Sequence, residues 1–166
     1  MPAIRQARRG DEQRLRDVRL RSLADTPDAF ASTLAQESAF ATSRWVELTA
    51  QSDSGRERVV YAAVADGRWL GMAGGHWFDP DSRIAALWGM WVEPAARGLG
   101  LGERLVATVD AWAADLGARV LRLGVVDGMS AQSFYERLGF TVTGERRPLP
   151  RDERRVAVFL SRPIGH

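Results

Sequence analysis

The chain has 166 residues, enough for one domain with a sizeable core and too few for two of ordinary size. Hydrophobic residues make up 45% and charged residues 27%, the balance of a soluble globular protein, and a net charge of +2 does not describe a polycation. With no Cys, no Lys and only two His, the chain excludes disulfides, thiol nucleophiles, a P-loop lysine, a Schiff base and a multi-histidine metal centre. No apolar run nears the roughly 18 residues that span a membrane, and the charged start carries no signal-peptide core. The composition predicts a soluble, cytoplasmic domain without a metal, whose chemistry uses backbone, hydroxyls, carboxylates or arginine.

The predicted elements begin with a short strand over 3–7 and a helix from Gly10-Asp11 to about Ala24, which Pro27 stops. Its apolar side is Leu15, Val18, Leu20 and Leu23. A second helical stretch covers about 34–48, and the polar run 51–57 reads as a loop. Strands over 58–64 and 69–78 are joined by Ala65-Asp66-Gly67, an Asp-Gly hairpin signal. Another strand covers 84–92, ended by Glu93-Pro94. Leu101, Leu105, Val109, Trp112 and Leu116 then recur at steps of three and four, one stripe of a helix closed by Gly117. A strand over 120–126 is followed by a short helix that Ser130 can cap, with Ala131, Phe134, Tyr135 and Leu138 on one side. Strands over 140–146 and 155–161 flank a turn. This is a single α/β domain over 1–166, antiparallel hairpins first and a strand–helix–strand crossover later.

The most informative stretch passes from strand to helix through Arg97-Gly98-Leu99-Gly100-Leu101-Gly102. Glycines let amides turn inward and admit a ligand close to the backbone, and the helix start adds partial positive charge, a combination suited to a pyrophosphate. A dinucleotide-binding loop should follow the first strand of its unit, whereas this one follows the fourth, and a kinase would need a lysine.

Arg97-x-x-Gly100-x-Gly102 resembles the acyl-CoA loop of the GNAT superfamily of N-acyltransferases. Met90-Trp91-Val92-Glu93-Pro94 upstream looks like that family's fourth strand and its exit. Ala131-Gln132-Ser133-Phe134-Tyr135-Glu136-Arg137-Leu138-Gly139-Phe140 downstream looks like its A-x-x-x-Y-x-x-x-G-F helix. The resemblance covers about residues 3–161. It implies a mixed sheet of six or seven strands flanked by about four helices, with strands four and five splayed to admit CoA. It further implies that amides of Gly98, Leu99, Gly100, Leu101 and Gly102 bind the pyrophosphate with Arg97 beside it. Backbone groups of Met90 and Val92 would pair with the pantetheine, and an N–H in Met90-Trp91-Val92 would stabilise the oxyanion. Tyr135 matches the family's general acid, which protonates the leaving thiolate; the competing reading is a core tyrosine on its helix's apolar face.

The sequence departs from the family in two places. Many members carry a Glu on strand four, and the matching position here is Ala86; Glu37, His76 and Glu93 are the candidates for the base, with Glu37 preferred. The family often has Asn where Gly128 stands, and Ser130 or Ser133 offers a substitute hydroxyl for the cofactor, although helix capping also explains Ser130. Trp77, Trp88 and Trp91 lie near the expected cleft, but strand alternation puts Trp88 and Trp91 on opposite faces. Arginines at 5–21 and 146–155 are interleaved with carboxylates, which describes solvated charge and no nucleic-acid stripe. The expectation is acetyl-CoA-dependent transfer to the primary amine of a small molecule, by direct attack without an acyl-enzyme. The rivals are acetylation of a peptide or protein N-terminus and a non-catalytic acyl-CoA-binding module. A homodimer is compatible with the sequence.

Overall fold

A computed structural model describes residues 1–165. Its strands are β1 (Ala3–Gln6), β2 (Arg58–Ala65), β3 (Arg68–Asp79), β4 (Ile84–Val92), β5 (Val120–Val126), β6 (Thr141–Leu149) and β7 (Asp152–Pro163). They form one seven-stranded sheet in the order β1-β2-β3-β4-β5-β7-β6. Among the described residues β4 and β5 are the only parallel neighbours, and a helical crossover joins them, as a parallel pair requires. The β2–β3 hairpin turns through Asp66 at φ 51° and Gly67 at φ 74°, the paired positive angles that the Asp-Gly signal predicts.

The helices are α1 (Glu12–Asp25), α2 (Leu34–Ser38), α3 (Thr42–Ser54), α4 (Leu101–Asp115) and α5 (Ala131–Arg137). On one sheet face, Leu15 and Val18 of α1 and Trp45 of α3 pack against Val60, Met72 and Trp91. On the other, the Leu101, Leu105, Val109 and Trp112 stripe of α4 meets Val59, Ala85, Leu87 and Leu121, with Tyr135 and Phe140 at its end. Burying each such side chain contributes roughly 1.5–3 kcal/mol, so these two layers fix where the sheet can open.

The region expected as one helix over 34–48 is two. Thr33 and Gln36 form a reciprocal capping box that starts α2, the chain breaks at Ala39–Phe40, and α3 begins at Thr42. The helix then runs through the polar residues read as a loop, because Ser52 is buried and structural. Its hydroxyl accepts from the Val60 N–H at 2.9 Å and donates to the Ala7 carbonyl at 2.7 Å, joining α3 to β2 and to the segment after β1.

Two irregularities in β4 position the site. Pairing advances by two residues in β3, from Met72 to Gly74, while β4 advances by three, from Trp91 back to Trp88. The extra residue makes a β-bulge, with Gly89 at φ 65°. The bulge reverses the alternation, so Trp88 and Trp91 both face α1 and α3, correcting the expectation that they point apart. Trp77 packs on the α4 side instead. The second irregularity lies between β4 and β5. Their pairing covers only Ile84–Ala86 against Val120–Arg122, after which β5 continues alongside β7 and the two strands part.

Candidate active site

The parted strands open a cleft of about 790 Å³ on the side of α4 and α5. From Leu87 onward β4 has no partner on the β5 side, so its backbone is free to pair with an extended ligand arm. The cleft ends at the start of α4. There Gly100, at φ 78°, is the N-cap and offers no side chain to the first-turn amides, leaving them for an anion. Gly102 must be small: a Cβ would come within 3.1 Å of the Phe134 ring.

The cofactor residues expected from the sequence divide here. Met90, Trp91, Val92, Gly98, Gly100, Leu101, Gly102 and Ser130 all line the cleft. Leu99 is 56% exposed and is not among the lining residues. Arg97 lines the cleft, but its guanidinium is engaged with the protein, donating to the Val92 carbonyl at 2.8 Å and to Asp25 at 2.7 Å. That contact occupies one of the Val92 groups expected to meet pantetheine. Asp25 also accepts from the Trp91 indole at 3.0 Å, and these two donors, Trp91 foremost, hold its carboxyl below the ordinary aspartate value. Asp25 thereby ties the end of α1 to both β4 and the glycine loop. Ser130 precedes α5, yet its hydroxyl makes no capping hydrogen bond, so capping does not account for it.

Tyr135 reaches the cleft from α5, edge-on to Phe134 and Phe140 at ring separations of 5.1 and 5.7 Å. It is 5% exposed, and burial pushes its phenol well above the ordinary value. The group is therefore a protonated O–H at every physiological pH, which is the state an acid requires.

A second pocket, of about 540 Å³, lies on the opposite sheet face between α1, α3 and the sheet. Trp88, beside the bulge, lines both pockets. Glu37 lines the second pocket, but its two oxygens accept from Arg19 Nε and Nη2, each at 2.9 Å, and both side chains are buried. Glu93 lines neither pocket and accepts from Arg21 and Arg68. His76 lines the second pocket directly across the β3–β4 ladder from Ala86. Among the described residues its Nδ1 is buried without a hydrogen-bond partner. Burial, and secondarily the charge of Arg58, hold the imidazole below 6.5, so it is neutral near pH 7.

Sequence reasoning missed Arg19 and Gly89. Arg19 read as one of many helix-surface arginines, although it falls four residues after the core Leu15. A lone glycine inside the strand pattern 84–92 is a bulge signal, and it was available for Gly89. Among the described residues, no group of acidic or histidine side chains is arranged to hold a metal ion, and no helix is long and apolar enough to cross a membrane.

Residues 23–140 match the model of a family described as acetyltransferase (GNAT) family. Comparison with curated proteins gives no match. Among solved structures, a GNAT-family acetyltransferase from Streptococcus pneumoniae superposes with a TM-score of 0.83 at 19% identity, covering 99% of this chain and 100% of that one. A PaiA N-acetyltransferase from Thermoplasma acidophilum, in complex with coenzyme A, gives 0.79 at 18% identity over 98% and 99%. An aminoglycoside 6'-acetyltransferase type Ii gives 0.73 at 20% identity over 99% and 98%. The sheet that parts after Ala86, the glycine loop at the start of α4 and the family match over most of the chain agree, and the chain belongs to the acetyltransferase (GNAT) family of acetyl-CoA-dependent N-acetyltransferases.

Proposed function

We propose that the protein transfers an acetyl group from acetyl-CoA directly to the primary amine of a small molecule. The observation that carries this reading is Trp88, beside the bulge, which lines both a cleft shaped for an extended, anionic cofactor and a separate pocket across the sheet. Acetyl-CoA supplies an activated thioester. The chain supplies the rest. A backbone N–H of β4 beside the bulge, within Met90-Trp91-Val92, stabilises the oxygen on which negative charge develops. First-turn amides of α4 hold the pyrophosphate. Tyr135 donates its phenolic proton to the departing sulfur.

The amine must lose a proton before it attacks. Glu37 was the expected base, but with both oxygens engaged by Arg19 its role in this reading is to position that arginine. His76 takes the proton at Nε2. It is neutral, lines the acceptor pocket, and stands across from the alanine where many family members carry a glutamate.

A small acceptor suits the architecture better than a peptide terminus. The β6–β7 hairpin reaches back to the segment between α1 and α2, with Arg151 donating to the Phe30 carbonyl at 3.0 Å and Arg155 paired with Asp28 at 2.9 Å. These ties narrow the approach that a polypeptide would need. The test is free-thiol release from acetyl-CoA across small amines, amino acids, polyamines and short peptides. Release with a small amine is expected, with thermal stabilisation by acetyl-CoA that Gly100→Glu abolishes. Release with peptides alone, or stabilisation that survives Gly100→Glu, would overturn the reading.

A further inference from the structure

The acceptor pocket carries more guanidinium donors than its carboxylates occupy. Five charged residues line it: Arg19, Glu37, Arg44, Glu47 and Arg58. Arg19 and Glu37 neutralise each other, but Arg19 has a third nitrogen. Among the described residues Nη1 is buried without a hydrogen-bond partner, in a side chain that is itself 10% exposed. It lies at the bulge, since a Cβ on Gly89 would sit 3.3 Å from it. An unpartnered buried donor beside the reacting centre is costly unless something bound there accepts its hydrogen bond.

Arg44 and Arg58 have no carboxylate partner among the described residues. Each rests near an aromatic ring instead, Arg44 3.9 Å from the Phe40 centroid and Arg58 6.0 Å from that of Trp88. Arg19 lies 5.8 Å from the same Trp88 ring. Aromatic contact steadies a guanidinium and leaves its N–H edge available to a planar anion. The charge of Arg58 also reaches His76, where it disfavours the imidazolium. Against these donors stands one carboxylate without an arginine partner, Glu47, on the exposed side of α3.

We propose that the acceptor is a primary amine that carries its own carboxylate, as an amino acid does. The carboxylate is held over Trp88 by Arg58 and the spare Nη1 of Arg19, with Arg44 lining the same pocket from α3. This rests on the acetyl-transfer reading and narrows it. A carboxylate at Nη1 places an adjacent amine at the bulge, within the same short molecule. A second ammonium, as in a diamine, would face the guanidiniums and be rejected by like charge.

The experiment compares matched acceptors: α-amino acids, their carboxamides, the corresponding aminoalkyl phosphonates and alkyl diamines. Thiol release gives kcat/KM for each, and the melting temperature of the CoA-loaded protein reports acceptor binding independently of turnover. The carboxylate member is expected to exceed its carboxamide by about tenfold or more, the worth of one charge-assisted hydrogen bond. Arg58→Gln combined with Arg44→Gln should cut that ratio several-fold, Arg19 Nη1 remaining, while CoA still raises the melting temperature and so certifies the fold. A carboxamide or diamine that matches the amino acid, or a ratio that survives the double substitution, would overturn the proposal. Phosphonates that outperform carboxylates and lose that advantage in the same variant uphold the anion site and reassign its ligand. If no acceptor releases thiol, acetyl transfer itself fails. Selective stabilisation by the amino acid over its carboxamide would then still uphold the site, and equal stabilisation would overturn it.

Discussion

Removing the Glu37 carboxylate separates the two roles that a buried acid in this pocket can have. The side chain makes two 2.9 Å contacts to Arg19, and Arg19 has no other carboxylate within reach among the described residues. Both side chains are about nine-tenths buried, at 10% and 8% exposure, so solvent screens little of the pair. Glu37→Ala leaves a guanidinium buried against Phe30 and Trp88 with every nitrogen unpartnered. Breaking such a pair from one side costs about 3–5 kcal/mol. For a chain of this length each kcal/mol lowers the melting temperature by about 2–4 °C, so a fall of about 6–20 °C is expected. Arg19→Met with Glu37→Leu removes both charges and fills the space, and should recover most of that loss, because the pair's own desolvation cost disappears as well. Thermal melts and urea titrations of Arg19→Met, Glu37→Leu and the double variant close the cycle, with Glu37→Ala measured beside them. A Glu37→Ala protein that melts within about 2 °C of the parent, or a double variant as unstable as the single, would refute the positioning role. A Glu37→Gln enzyme that keeps its stability but loses the acid limb of its pH profile would restore Glu37 as the base.

Tyr135→Phe should lower kcat by about 10²–10⁴-fold with little change in the affinity for CoA, because the ring's packing is kept and only the proton donor is lost; unchanged turnover in stopped-flow thiol release would remove the acid role. In the parent, kcat/KM should fall as pH drops below about 6.5, since the folded-state value of His76 is depressed and the neutral imidazole is the active form. His76→Ala should lower turnover and flatten that limb, and a limb that persists in the variant would assign the base elsewhere. The same depression makes the His76 contribution to stability fall as pH drops below the unfolded value and level off below the folded one. Gly74→Ala would place a Cβ inside the Trp88 indole, which lies across it, and should cost about 1–3 kcal/mol in a melt while displacing the wall that both pockets share. A parent-like melt with full activity would show that Trp88 is free to move.

The order of elements was legible because it depends on local periodicity. The α4 stripe, the Asp66-Gly67 turn and the strand that ends at Glu93-Pro94 each announce themselves within a dozen residues. Local polarity misled where a polar side chain does a core residue's work. Ser52 extends α3 into a stretch that reads as a loop, because the carbonyl of Ala7 and the amide of Val60 need its hydroxyl. Nothing near Ser52 in sequence marks that need, since both partners lie on other elements.

By itself the sequence determined the glycine loop and the short helix beside the cleft. The loop Arg97–Gly102 and the helix carrying Tyr135 are contiguous motifs, and an anion-binding turn needs only backbone amides and the absence of side chains, which glycine spacing records directly. The second pocket was decided by tertiary structure. Arg19 and Glu37 are 18 positions apart, on α1 and α2, and His76 faces Ala86 only through strand pairing. One bulge at Gly89 turns Trp88 and Trp91 to the same face, and Trp88 lines both pockets. Charge pairing and cross-strand register depend on distances through space, and burial raises the cost of leaving a charge unpaired. A list of residue types holds neither quantity, so Glu37 reads as a free base in the sequence and as the anchor of an arginine in the fold.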